Sequence, residues 1–236
     1  MRFRNVLLGI IIVLICATAI FYVSFDRMAI FAFERTAHLK LSYGSLHKDG
    51  IVSFVFSDLK IVNNQAGLGI ESRDATIKPT IHGFDMQKAT VDFDLHNVRF
   101  VKCESLPEGG SYDSLTGLVS APFSGNWSYR SISGQIAPCK NGVKINKLDA
   151  VSDEIKLSIT GILYNDKSMD ADIKIYFAEG LTKKIPEDMS KIMLTSEGGG
   201  WKSLSVHLSG DSSKPSIQLS SKLFRLNIRS SSDIMR

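Results

Sequence analysis

From Leu39 onward, apolar and polar residues alternate along most of the chain, and this period of two constrains the fold more than any other feature. Residues 90–95 read Thr-Val-Asp-Phe-Asp-Leu, so Val91, Phe93 and Leu95 fall on one face of a strand. Turn-forming Gly, Asn, Asp and Ser residues separate the alternating segments. We therefore predict an all-β fold of about ten to twelve short antiparallel strands, joined mostly as a meander. The other clear alternating segments are 155–160, 173–177, 204–208 and 226–228.

Two interruptions of the alternation are expected. The pattern slips by one residue near His96-Asn97 and resumes at Val98, which predicts a β-bulge. A short helix is predicted at residues 186–195, because Pro186 suits a first helical position and two acids follow it in the first turn.

Strands with this pattern have one apolar and one polar face, and the apolar face must be covered. We expect the meander to curl around it as a groove, an open barrel or a sandwich. A groove would be lined by side chains from several strands. The candidate lining residues are Val91, Phe93, Leu95, Leu157, Ile173 and Ile175.

Residues 6–23 form an apolar segment of 18 residues without a charged side chain. A helix of about 20 residues spans roughly 30 Å, the thickness of a bilayer core. Arg2 and Arg4 precede the segment and the charges after it nearly cancel, so the N-terminus is expected in the cytoplasm and the remainder outside. The small residues 17–19 (Ala-Thr-Ala) leave a cleaved signal peptide as the alternative.

The chain is predicted to have three parts. Residues 1–25 form a cytoplasmic tip and transmembrane anchor, 26–38 a short juxtamembrane helix, and 39–236 a β-rich domain outside the cytoplasm. The 28 Lys and Arg residues only slightly exceed the 24 acids. This mild charge excess, without long runs of like charge, gives no reason to expect nucleic acid as a partner.

Two cysteines of the β-rich domain, Cys103 and Cys139, are candidates for a disulfide, because a domain outside the cytoplasm experiences an oxidising environment. The sequence does not show whether their Cα atoms come within bonding range. Two separate buried thiols therefore remain the alternative. The third cysteine, Cys16, falls in the apolar segment.

The sequence has no arrangement typical of catalysis or metal binding. Its five histidines are never three, four or five residues apart and none adjoins a cysteine, which argues against a zinc site. Phosphate-binding glycine loops and the nucleophile motif of hydrolases are missing. The acid pairs Asp92/Asp94 and Asp170/Asp172 have the spacing of a solvated strand face. We therefore expect neither an enzyme nor a cofactor.

Several segments carry a resemblance to a known group. The start of the β-rich domain reads LKLSYGSLHKDGIVSFVFSDLKIVNNQAGLGIESRDATIKPTI, and a later pair of strands reads VDFDLHNVRFV. Both are similar to the opening strands of AsmA-like proteins. A further segment reads IPEDMSKIML, then a glycine break, then WKSLSVHLSGDSSKPSIQLSS. It resembles the closing element of that group and of the N component of type II secretion systems.

The resemblance implies a single-pass protein of the bacterial inner membrane with a curled periplasmic β-sheet, acting in envelope biogenesis. Its implied partners are the inner membrane, acyl chains of phospholipid or lipopolysaccharide, and other envelope proteins involved in lipid transport or outer-membrane assembly. The alternative is an accessory component of a type II secretion apparatus that acts by protein–protein contact. About twelve strands span only roughly 58 Å, which is short for a conduit across an envelope and favours a role with a partner.

Overall fold

A computed structural model describes residues 40–49, 53–63, 68–80, 89–102, 122, 128–211 and 215–228 of the chain. The predicted anchor at 1–25 and the predicted juxtamembrane helix at 26–38 lie outside these residues. Among the residues described, no helix is both long enough and apolar enough to cross a bilayer.

Within these residues, thirteen strands form one antiparallel sheet, and two short helices interrupt it. The predicted all-β class is therefore confirmed, with slightly more strands than expected. In chain order the elements are β1 (Lys40–Ser42), β2 (Ser45–Asp49), β3 (Ser53–Asn63), β4 (Leu68–Thr80), β5 (Thr90–Lys102), β6 (Ser128–Cys139), β7 (Gly142–Val151), β8 (Ile155–Tyr164), β9 (Ser168–Phe177), α1 (Glu179–Thr182), α2 (Glu187–Met193), β10 (Thr195–Gly198), β11 (Trp201–Asp211), β12 (Ser216–Ser220) and β13 (Arg225–Ile228).

The strands follow one another as a meander, as the sequence predicts. From β3 to β9, strands that are neighbours in the chain are neighbours in the sheet. β1 and β2 both pair with β3 and together form one broken edge strand, while β10 and β12 both pair with β11. Among the described strands, β13 pairs only with β12, so the sheet is open and has two edges.

Strands β3 to β6 exchange their inward and outward faces at the same level of the sheet. Asp58 and Asn97 have positive φ angles of 51° and 52° at this level. The predicted slip near Asn97 is thus confirmed, but it is not a bulge, because the register of β4 and β5 is unchanged across it. The inward residues on either side are Phe56 and Leu59 in β3, Ala75 and Ser72 in β4, Leu95 and Val98 in β5, and Ile132 and Tyr129 in β6.

The predicted helix at 186–195 is confirmed as α2. Pro186 is its N-cap residue and not its first helical residue, and Glu187 and Asp188 occupy the first turn. Both acids suit the positive end of the helix dipole. The preceding four-residue helix α1 was not predicted, because a segment so short carries no readable period.

Candidate functional site on the apolar face

The six candidate lining residues all lie on the same face of the sheet. Residues directly opposite one another in neighbouring strands point to the same side, so the register identifies the members of that face. Leu95, Leu157 and Ile175 belong to one row of paired residues that crosses eight strands. In strand order this first row is Phe56, Ala75, Leu95, Ile132, Ala150, Leu157, Ile175 and Leu204.

Two further rows contain the remaining candidates. Phe93 and Ile173 belong to the second row, and Val91 belongs to the third. The second row is Phe54, Ile77, Phe93, Gly134, Leu148, Ile159, Ile173 and Val206, and the third is Pro79, Val91, Ile136, Ile145, Gly161, Ala171, Leu208 and Ile217.

Burial is highest in the first row and lower in the second and third. Every side chain of the first row is 0–7% exposed. Most residues of the second and third rows, including Phe93 and Val91, are only half-buried. Of the six candidates, Leu95, Leu157, Ile173 and Ile175 are therefore core residues, whereas Phe93 and Val91 remain partly accessible.

One end of the apolar face, called the sealed end here, is fully covered. Ile155 and Phe177 are 0% exposed at this end. The helical segment between β9 and β10 contributes buried residues to the same cluster, namely Leu181, Ile185 and Leu194. The two short helices therefore cover part of the apolar face, which sequence periodicity alone did not indicate.

Tyr129 completes the sealed end on β6. Its ring is 1% exposed and meets Phe100 edge-on, with centroids 5.9 Å apart. The hydroxyl donates a hydrogen bond of 2.7 Å to the backbone oxygen of Pro122, which is also buried. Burial raises the pKa of Tyr129, so the phenol stays protonated and acts as a fixed donor.

The opposite end of the face, called the open end, is bounded by the β6–β7 and β8–β9 turns. Beyond the third row, Val143 and Leu163 are opposite each other on the same face. They are 39% and 42% exposed, although their apolar character equals that of the buried rows. Sequence reasoning missed both residues, but each continues the alternation of its strand and could have been found on that basis.

A glycine permits close packing in the second row. A Cβ atom on Gly134 would lie 2.7 Å from Cζ of Phe93 and 2.6 Å from the backbone oxygen of Lys147. The Phe93 ring therefore occupies space above Gly134 that a larger residue would take. The half-buried ring of Phe93 is held over the centre of the apolar face in this way.

A cavity of 560 Å³ lies where the face change meets the polar side of the sheet, and ionisable groups converge there. Lys60 and Arg99 contact Glu71 at 2.7 Å and 2.6 Å. Their hydrogen bonds hold the pKa of Glu71 below its usual range. A carboxylate held in its charged form between two cations can link neighbouring strands through ion pairs. It is poorly suited to proton transfer near neutral pH.

A second cavity, of 530 Å³, lies between the helices and β10–β11. Lys202 reaches into the sheet–helix boundary and donates a 2.7 Å hydrogen bond to Oγ of the buried Ser190. The ammonium of Lys156 lies 4.0 Å from the ring centroid of Trp201. These contacts hold the helical segment against β11. The polar groups of this cavity therefore stabilise the fold.

Among the described residues, no three His, Cys, Asp or Glu side chains are placed to hold a metal ion. Cys139 has a free, half-buried thiol. Cys103 lies outside the described residues, so the Cys103–Cys139 pair stays a prediction. Its neighbour Lys102 ends β5 at the sealed end, roughly 46 Å by strand rise from the level of Cys139, which weighs against the pair.

Comparisons with known proteins add no assignment to this geometry. No protein-family model, curated protein or solved structure matches the chain.

Proposed function

We propose that the chain is a membrane-anchored periplasmic protein of envelope biogenesis that holds lipid acyl chains against its apolar face. The observation that carries the proposal is the change in burial along one continuous apolar face. The first row is buried, most of the second and third rows are half-buried, and Val143 and Leu163 beyond them are exposed. An acyl chain that covers partly exposed apolar surface gains about 25 cal/mol per Å² without any charged recognition group.

We further propose that the sheet curls about this face. The inward residues of distant strands would then shield one another, and a trough would remain along the middle rows. Phe93 and Ile159, both half-buried, are the residues expected to touch a bound chain. The predicted anchor at residues 6–23 would hold this domain at the inner membrane, and no catalytic step is required of it.

Photo-crosslinking in cells distinguishes the apolar face from the polar face. A benzophenone amino acid replaces Phe93 in one full-length variant and the adjacent, outward-facing Asp94 in the matched control. We expect lipid adducts, identified by mass spectrometry, at position 93 and none at position 94. If both variants fold and neither position gives lipid adducts, the proposal is contradicted.

A second candidate function, contact with a secretion-system protein, is favoured by the exposed C-terminal edge of the sheet. β13 has only four residues, and Leu226 within it is 41% exposed, while Leu223 in the preceding turn is 73% exposed. Such an edge can add a strand from a partner. A benzophenone at Asn227 should then give protein adducts, whereas one at the exposed Asp153, in the turn after β7, should not.

A further inference from the structure

The two hairpins at the open end bring four apolar side chains together in one short row, and all of them except Met169 are exposed. Val143 and Leu163 form a directly opposed pair between β7 and β8. Pro138 is opposite Val143, and Met169 is opposite Leu163. Because the sheet ends here, these four side chains lie at its rim, next to the turns.

Exposed lysines lie close to this row in both hairpins. We call residues 138–144 and 163–169 together the tip surface. Lys140, Lys144 and Lys167 are all exposed within it. Their side chains have no hydrogen-bond or ion-pair partner among the described residues, so their charges are available to a binding partner.

The single acid of the tip surface does not offset these lysines. Three lysines and one aspartate leave the tip surface with a net charge of +2. Asp166 accepts hydrogen bonds from the backbone nitrogen and the Oγ of Ser168, at 2.9 Å and 2.5 Å. Two further acids border the β8–β9 hairpin, because Asp211 is opposite Ser168 and Asp170 follows Met169. The positive excess is therefore concentrated on the β6–β7 hairpin, where residues 138–144 contain two lysines and no acid.

We propose that the tip surface docks on an anionic membrane. Apolar side chains flanked by lysines suit the boundary between headgroups and acyl chains, where the lysines meet lipid phosphates. The inference goes beyond acyl-chain binding and does not depend on it, because surface contact requires no groove. Lys40, the first described residue, pairs with Val62 at the sealed end, away from the tip surface. The proposal therefore includes that the docked membrane is a second one, distinct from the membrane that holds the predicted anchor.

Vesicle binding by the full-length protein tests this directly. The chain is held in phosphatidylcholine nanodiscs and mixed with vesicles of phosphatidylcholine alone or with added phosphatidylglycerol. We expect cosedimentation mainly with the anionic vesicles. The binding should weaken about fivefold for each lysine neutralised in K140Q and K144Q. It should be lost in the double variant V143D/L163D, and also at high salt.

Matched controls separate the tip surface from general charge and polarity. K183Q/K184Q removes two exposed lysines of the sealed end, and L223D places an acid at a more exposed leucine; both should bind as the parent does. Equal binding to neutral and anionic vesicles, or full binding by V143D/L163D, overturns the docking proposal. Lipid adducts at position 93 without vesicle binding would overturn docking alone and leave the acyl-chain proposal standing.

Discussion

The sealed and open ends of the sheet are built from the same alternating strands, yet only one of them is closed. In β8, Ile155 is 0% exposed and Leu163 is 42% exposed, although both are aliphatic residues of the same face. The difference comes from covering elements: α1, α2 and the Pro122 contact lie over one end. The comparison teaches that periodicity assigns a side chain to a face, whereas neighbouring segments decide how far that face is buried.

The largest difference between the two ends should come from truncating one apolar side chain at each end. Phe177→Ala at the sealed end is expected to cost about 3–5 kcal/mol of unfolding free energy, since it leaves a cavity. Val143→Ala at the open end should cost under about 1 kcal/mol. Urea unfolding followed by tryptophan fluorescence measures both.

A conservative change covers the case in which the alanine variant does not fold. Phe177→Leu keeps most of the buried volume and should lose only about 1 kcal/mol. Equal losses for Val143→Ala and Phe177→Ala would show that the two ends are packed alike, against the burial described above.

Removal of one hydroxyl at each end gives a smaller contrast. Tyr129→Phe loses the hydrogen bond to Pro122 and should destabilise the protein by about 1 kcal/mol. Tyr164→Phe, at the open end, removes a hydroxyl from a half-buried ring and should be nearly neutral. The same unfolding assay applies, and a neutral Tyr129→Phe would mean that the Pro122 contact adds nothing to the closure.

The polar side of the sheet near the sealed end should show the smallest effect, and it depends on pH. The folded-state pKa of Glu71 is lowered by hydrogen bonds from Lys60 and Arg99. Its stabilisation is therefore present above the unfolded-state pKa of about 4.3 and is lost as the pH falls through the folded-state value. At neutral pH, Glu71→Gln should cost under about 1 kcal/mol, because the pair is partly exposed.

A double variant provides the control for this titration. K60Q/R99Q removes both donors, so Glu71 should no longer contribute the acid-dependent part of the stability. Unfolding curves of the parent protein, Glu71→Gln and K60Q/R99Q are compared at neutral and acidic pH. If Glu71→Gln still lowers the free energy of unfolding in strong acid, the effect comes from packing and not from ionisation of Glu71.

The alternation in the sequence was sufficient to predict the strands and the common face of Val91, Phe93 and Leu95. It could not predict the gradient of exposure along that face, because Ile155 and Leu163 look alike in a local pattern. The predicted helix at 186–195 had an end signal in Pro186, whereas α1 had none. A bulge lies in β7 at Asn146, where the apolar spacing slips from Ile145 to Leu148 just as it slips from Leu95 to Val98. A slip in spacing alone therefore does not distinguish a bulge from a change of face without one.

The meander connectivity also bears on how the chain assembles and varies. Because β4 to β8 each contact mainly the strand before and the strand after, most partners meet over short stretches of chain. This keeps loop-closure costs low and favours rapid zippering from any early hairpin. Duplication or deletion of one hairpin in a related protein would therefore widen or narrow the sheet. The remaining hairpins would keep their pairing, and only the area of the apolar face would change.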